Sequence, residues 1–212
     1  MKSPFAERER DRLIAAMLPD VAFDGWTRHA LRNAARRIEM PPGEAIALFP
    51  RGAPDLISAF SRWADRQTLA RLETEEVEPG SLSRRIALAL RLRFEVLLPW
   101  REAVRRSLAV LAMPHNAPSG LRLLYDTVDA IWHGVGDSAT DFSFYTKRAT
   151  LAGIYAAAML YWLDDRSPDC ADTQAFIDRR LADLHTLTGL RERFAAAADR
   201  LPNPLRALRP SR

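Results

Sequence analysis

The fold class is decided by residues 26–60, which read WTRHALRNAARRIEMPPGEAIALFPRGAPDLISAF. Apolar residues recur there every three or four positions, which predicts a helix over 26–39 with one buried face. Two prolines break that helix, and Pro42 can begin a very short second helix. The turn at 49–52 then leads into a long helix that we expect over 54–73.

The same apolar spacing continues along the rest of the chain. We expect a short helix that ends near Pro19, and further helices over 81–97, 99–113, 118–133, 141–165 and 168–187. No segment alternates with period two, so the sequence predicts no strand. The fold class is therefore all-α, with nine or ten helices.

The predicted order of elements resembles the helix-turn-helix head and linker helix of TetR-type regulators. It consists of three short helices, the sequence Phe-Pro-Arg-Gly and then a long helix. This resemblance implies that residues 42–48 correspond to the recognition helix. Reading DNA needs side-chain donors at the start of that helix, whereas it reads PGEAIAL here. Residues 1–60 hold nine basic and eight acidic residues, so the charge of a DNA-binding head is missing too. We expect no nucleic acid partner, and a TetR-type transcriptional regulator is the alternative function.

The basic surplus of the chain lies in its last residues. The chain carries 31 basic and 27 acidic residues, a net charge of +4, and residues 186–212 alone carry six arginines against two acidic residues. Apolar residues step through this segment by three or four, which is typical of an amphipathic helix in a membrane interface. An ordinary helix packed on the core is the alternative. The candidate membrane-contact residues are Leu187, Leu190, Arg191, Phe194 and Leu201.

The sequence carries no catalytic motif: His-Glu-x-x-His, Glu-x-x-His and Gly-x-Ser-x-Gly are all absent. A single cysteine, Cys170, excludes a disulfide framework and a cysteine-based zinc site. Asp129 and His133 stand four residues apart, but one such pair more often makes a surface or core contact. Asp164 and Asp165 end a helix, where carboxylates oppose the helix dipole, so we expect a capping or loop role. We expect no enzyme, no catalytic residue, no metal and no cofactor.

Several unusual clusters occur in one order along the chain. They read DVAFDGWT at 20–27, ALFPRG at 47–52, DFSFYTKRATLAGIY at 141–155 and DRSPD at 165–169. Together they resemble a ubiquinone-biosynthesis accessory family, the ninth of the COQ proteins, over about residues 7–190. The resemblance implies a TetR-like fold without DNA binding, a homodimer, and an apolar pocket for an isoprenoid lipid or a phospholipid. It also implies a terminal amphipathic helix at a membrane surface and a patch for demethoxyubiquinone hydroxylase or an equivalent enzyme of the pathway.

The resemblance assigns Phe144 and Tyr145 to the partner patch, and Arg148, the second basic residue of that motif, is placed with them. The pocket needs aliphatic and aromatic walls. For each candidate wall residue, plain core packing is the alternative. The candidate lipid-binding residues are Phe94, Leu97, Leu111, Leu124, Trp132, Leu151, Tyr155 and Met159.

We expect a helix-turn-helix-like head at 1–52, a lipid-binding and dimerisation core at 53–188, and an amphipathic basic tail at 189–212. The first residues are charged and lack the apolar run of a signal peptide. The longest uncharged apolar run, 149–163, falls short of the roughly 20 residues that span a bilayer. These features predict a bacterial cytoplasmic protein, peripheral on the inner face of the cytoplasmic membrane.

Overall fold

The computed structural model describes residues 4–75, 82–136 and 143–183. Within these ranges the chain is helical and forms no strand, which confirms the predicted all-α class. Short 3-10 turns lie at Leu98–Trp100 and Pro168–Cys170, and residues 171–183 form the last described helical stretch. The α-helices before it are α1 (Pro4–Asp24), α2 (Arg28–Arg37), α3 (Pro42–Leu48), α4 (Ala53–Thr74), α5 (Leu82–Leu97), α6 (Arg101–Leu111), α7 (Ala117–Gly134) and α8 (Ser143–Asp164).

Helix α1 is longer than predicted, because it continues through Pro19 instead of ending there. Proline removes one backbone donor from a helix and its ring crowds the carbonyl four residues earlier, so it often kinks or ends a helix. Arg37 of α2 donates to the Ala16 carbonyl at 2.8 Å and to the Asp20 carboxylate at 2.7 Å, on either side of the proline. The residues of α1 that are buried around this turn are Leu13, Ile14, Met17, Leu18 and Val21.

The head formed by α1, α2 and α3 is joined to the rest of the protein by Trp26. Its indole N–H donates to the Ala103 carbonyl of α6 at 3.2 Å. Its ring lies against Phe60 of α4, with the ring centroids 5.3 Å apart. Thr27 then begins α2 by accepting a hydrogen bond from the Ala30 N–H, as an N-cap residue does. The head is thus held against the body by buried contacts.

Helix α4 is central to the body: it contacts α1, α5, α6 and α7. Helix α8 packs on α7, and its Trp162 is fully buried. Helices α4 to α8 surround the cavity described below. Among the described helices, none is both long enough and apolar enough to cross a bilayer.

Asp165 holds the corner between α8 and residues 171–183. Its carboxylate accepts hydrogen bonds from the backbone N–H and hydroxyl groups of Ser167 and Thr173. Burial raises the pKa of Asp165, but these four hydrogen bonds outweigh it and lower the pKa to about 2. Arg101 donates to the carbonyl of the same residue. The capping role expected for this acidic pair is confirmed at Asp165.

Candidate functional site

A cavity of about 560 Å³ lies between α4, α5, α6, α7 and α8. Its volume is in the range of roughly 300–1,000 Å³ that is usual for sites that bind small molecules. Most of its wall is aliphatic or aromatic. The apolar side chains that line it are Ile57, Phe60, Leu97, Val104, Leu108, Leu111, Ala112, Ala117, Leu121, Leu123, Leu124, Tyr155, Ala156, Met159 and Leu160.

Five of the eight candidate lipid-binding residues lie in this wall. They are Leu97, Leu111, Leu124, Tyr155 and Met159. The other three, Phe94, Trp132 and Leu151, are buried but do not line the cavity. Phe94, for example, packs against Trp162, with the ring centroids 5.4 Å apart. The structure therefore places these three in the packed core, because helical spacing identifies inward residues without separating a cavity wall from the core.

Part of the cavity wall is polar, and it includes a buried arginine. Arg93 of α5 is 3% exposed, and its guanidinium forms an ion pair with Asp65 of α4. Its Nε donates to the Tyr155 hydroxyl of α8 at 2.6 Å. Its Nη2 lies 3.3 Å from the hydroxyls of both Ser61 and Thr127. We call these five residues the polar cluster; all of them except Asp65 line the cavity.

The charges within the polar cluster are fixed by their surroundings. Burial lowers the pKa of Arg93, but the Asp65 carboxylate and the Tyr155 hydroxyl outweigh it and hold the pKa above its usual value. Burial raises the pKa of Tyr155, which the neighbouring Arg93 only partly opposes. Arg93 is therefore charged and Tyr155 is a neutral phenol.

Sequence reasoning missed Arg93, although the signal was present. Arg93 lies on the same face of α5 as three apolar residues. Ile86 stands seven residues before it, Leu90 three residues before it and Leu97 four residues after it. A charged residue on the inward face of a helix needs a buried partner. The position of Arg93 in the sequence therefore predicts a buried ion pair.

The cavity meets the surface at two exposed leucines. Leu121 of α7 is 69% exposed and Leu160 of α8 is 65% exposed, and both also line the cavity. Leu121 and Leu160 therefore form an apolar rim at the mouth of the cavity.

The residues predicted for the partner patch fall in two groups. The side chains of Phe144 and Tyr145 lie outside the described part of the structure. Arg148 is described and is 4% exposed, with its Nε donating to Asp129 of α7 at 2.8 Å. This contact joins α8 to α7, and the partner role of Arg148 stays a prediction.

The predicted membrane-contact residues, Leu187, Leu190, Arg191, Phe194 and Leu201, also lie outside the described residues. Among the residues that are described, no three histidine, cysteine or acidic side chains are grouped so as to hold a metal ion. Asp129 lies 3.4 Å from His133, but its carboxylate is shared with the buried Arg148.

Helix α3 corresponds to the recognition helix of TetR-type regulators, but its surface is not suited to binding DNA. In α3 the exposed residues Pro42, Gly43, Glu44 and Ala47 offer no side-chain donor to a base or phosphate. This surface does not favour DNA binding.

The chain has the TetR-like architecture. It is similar to the crystal structure of the TetR transcriptional regulator from Nitrosomonas europaea, with a TM-score of 0.65. The match covers 82% of this chain and 97% of that chain at 21% sequence identity. A structural match at such low sequence identity shows a shared fold and not a shared function.

A family model described as COQ9 matches residues 117–188. The ubiquinone biosynthesis protein COQ9-B of Xenopus laevis is 33% identical over 202 residues, covering 91% of this chain and 68% of that protein. The COQ9 protein of Homo sapiens is 35% identical over 184 residues, covering 84% and 58%. This chain belongs to the COQ9 family, which confirms the resemblance predicted from the motifs.

The chain spans less than two thirds of the length of some of these relatives. It covers 59% of the COQ9 protein of Xenopus tropicalis, which is 35% identical over 190 residues. These relatives are named as mitochondrial proteins. The predicted location in a bacterial cytoplasm is therefore wrong. That prediction rested on the charged first residues of the sequence, which carry no information about the compartment of the relatives.

Proposed function

We propose that this chain is a non-catalytic accessory protein of ubiquinone biosynthesis that binds an isoprenoid lipid and presents quinone intermediates to a membrane-associated hydroxylase. Two findings support this. The relatives are named ubiquinone biosynthesis proteins. The observation that carries the proposal is the apolar cavity of about 560 Å³ inside the helical body.

The walls of the cavity suit a hydrocarbon chain. Isoprenoid tails are almost insoluble in water, and each Å² of apolar surface removed from water stabilises the complex by about 25 cal/mol. The rim formed by Leu121 and Leu160 gives such a tail an apolar route to the surface.

The polar groups of the cavity suit binding better than catalysis. Arg93 is neutralised by Asp65, and Tyr155 keeps its proton because burial raises its pKa. A general base needs a pKa near the working pH. Among the described lining residues, no histidine or carboxylate provides one.

The first experiment extracts lipids from the purified full chain and identifies them by mass spectrometry. A prenylated quinone or quinone precursor, recovered in repeated preparations, is the expected result. Preparations that repeatedly contain no lipid would contradict the proposal. Recovery of a phospholipid alone would contradict the isoprenoid assignment.

A hydroxylase-binding patch around Phe144 and Tyr145 belongs to the same proposal. We expect Phe144→Ala and Tyr145→Ala to weaken binding of demethoxyubiquinone hydroxylase while leaving lipid content unchanged. Tyr161→Ala is the matched control, since Tyr161 is an exposed aromatic residue on the same helix. Unchanged hydroxylase affinity in both patch variants would refute this part of the proposal.

Membrane contact and self-association complete the proposal. Deleting residues 187–212 should reduce flotation with anionic liposomes, because the segment carries the basic surplus of the chain. Equal flotation of the full and shortened chains would remove the membrane role. We also propose a homodimer, for which sedimentation at micromolar concentration should give twice the mass of 23.9 kDa.

A further inference from the structure

We infer that a second cavity, where the head meets the body, binds a water-soluble phosphate monoester that also carries hydroxyl groups, such as a sugar phosphate. The cavity has a volume of about 570 Å³ and is walled by α1, the turn after α3, α4 and α7. We call it the arginine cleft. Its binding role is independent of the proposed function, which concerns the apolar cavity. The charged residues of its wall are Arg10, Arg51, Arg62, Arg122, Asp55 and Asp126.

The arginine cleft carries more positive charge than its own aspartates neutralise. Its wall holds four arginines and two aspartates, a net charge of +2. Asp55 is engaged by Arg51: it accepts hydrogen bonds from the Arg51 backbone N–H and Nε, both at 2.8 Å, and lies 2.7 Å from Nη2. Arg10, Arg62 and Arg122 form no ion pair with any acidic residue that the structure describes. Three guanidinium groups are therefore available to an anion.

The guanidinium group of Arg10 is positioned by a backbone contact. Its Nε donates to the Leu48 carbonyl at 3.3 Å, which joins α1 to the end of α3. This bond uses one of the five N–H donors of an arginine side chain and leaves four. The parallel N–H groups of arginine match two oxygens of a phosphate. A phosphate monoester carries about −1.5 to −2 at pH 7, so one such group balances the net charge of the cleft.

Asp126 favours a ligand that carries hydroxyl groups beside its phosphate. Arg122 stands four residues before Asp126 on α7, yet the two form no ion pair, and no residue in the described ranges donates to the Asp126 carboxylate. A carboxylate repels a phosphate but accepts hydrogen bonds from hydroxyl groups. A sugar phosphate supplies an anion for the arginines and donors for Asp126.

The wall of the arginine cleft suits a soluble ligand better than a lipid. Its large apolar residues, Leu48, Phe49 and Leu123, are buried or half-buried. The mouth of the apolar cavity, in contrast, has the exposed Leu121 and Leu160. An acyl chain attached to a phosphate in the arginine cleft would find no exposed leucine or aromatic residue of the described wall to cover it.

Arginines in a cleft can also serve packing alone. Arg10 and Arg62 border a small adjoining cleft together with Glu7 and Asp11, and Asp11 is paired with Arg66. Glu7, as far as the described contacts extend, forms no ion pair with either of the two bordering arginines. A packing role needs no ligand, so binding measurements with matched probes separate the two roles.

The experiment is isothermal titration calorimetry of the full chain with ribose 5-phosphate, inorganic phosphate and ribose. The wild-type chain should bind ribose 5-phosphate at one site and more tightly than inorganic phosphate, and it should not bind ribose. No saturable binding of ribose 5-phosphate would overturn the inference, and so would equal or tighter binding of inorganic phosphate.

Arg62→Gln and Arg122→Gln should each weaken ribose 5-phosphate binding about tenfold or more, because each removes charge-assisted hydrogen bonds to the phosphate. Arg32→Gln is the matched control: Arg32 is exposed on α2, lies outside the arginine cleft and removes the same charge from the chain. Asp126→Ala should abolish the preference for ribose 5-phosphate over inorganic phosphate. Asp172→Ala, an exposed change outside the cleft, should preserve it.

Equal losses in Arg62→Gln, Arg122→Gln and Arg32→Gln would indicate an adventitious ion only and overturn the inference. A preference for ribose 5-phosphate that persists in Asp126→Ala would overturn the requirement for hydroxyl groups. Circular dichroism of each variant checks that it is folded, and the exposed Arg122 gives the variant that disturbs packing least. The lipid content of the chain, which tests the proposed function, is measured separately and should be the same in all of these variants.

Discussion

Replacing Asp165 by asparagine removes the negative charge that organises the corner after α8. The carboxylate accepts the Ser167 N–H at 2.8 Å and the Thr173 N–H at 2.9 Å, together with both hydroxyls. An asparagine side chain has one oxygen and one NH2 group. The NH2 group would face either the Ser167 donors or the Thr173 donors, and those hydrogen bonds would be lost. The start of residues 171–183 would lose its cap.

The pKa of Asp165 gives the magnitude. Lowering it from 3.8 to about 2 corresponds to about 2 kcal/mol, at roughly 1.36 kcal/mol per pKa unit. Because the folded pKa lies below the unfolded one, this stability is present above pH 3.8 and is lost as the pH falls through about 2. We therefore expect Asp165→Asn to lower the free energy of unfolding by about 2 kcal/mol at pH 7, where the carboxylate is charged.

Urea unfolding of the wild-type and variant chains at pH 7 and pH 2 measures this difference. The gap between wild type and Asp165→Asn should narrow at pH 2, where the wild-type carboxylate becomes protonated. Asp164→Asn is the matched control: its side chain is 82% exposed, so we expect a change within about 0.5 kcal/mol. A variant Asp165→Asn as stable as Asp164→Asn at pH 7 would refute the reasoning.

Two further substitutions test the packing. Phe94→Ala should lower the free energy of unfolding by about 3–4 kcal/mol, since Phe94 lies in the packed core and not in the cavity wall; an effect below 1 kcal/mol in chemical denaturation would contradict this placement. Trp26→Phe removes the hydrogen bond to the Ala103 carbonyl and should cost about 1–2 kcal/mol by the same measurement. Arg28→Lys, an exposed change nearby, is the control, and equal stability of both variants would argue against the head-to-body bond.

Much of the fold followed from local patterns in the sequence. The apolar spacing and the paired prolines predicted α2, α3 and α4 to within a few residues. Pro19 misled the prediction of α1, because contacts from Arg37, distant in sequence, support the helix around the proline. Local sequence patterns do not reveal a stabilising contact from a residue that is distant in sequence.

The candidate site was less predictable for a physical reason. Helical spacing shows which residues turn inward, but a void between helices depends on how far apart the helices pack. Leu97 and Phe94 share the inward side of α5, yet only Leu97 lines the cavity. The partner role of Phe144 and Tyr145 came from the family resemblance and not from the pattern of the residues.

A cavity-filling variant shows whether the cavity holds an isoprenoid lipid. Leu124→Trp puts a larger side chain into the cavity wall, whereas Tyr125→Trp places the same residue on the exposed side of α7. The measurement is the amount of isoprenoid lipid bound per mole of purified, folded chain, determined by mass spectrometry. We predict that wild type and Tyr125→Trp carry the lipid and that Leu124→Trp loses most of it. Equal lipid content in all three proteins would contradict lipid binding in this cavity.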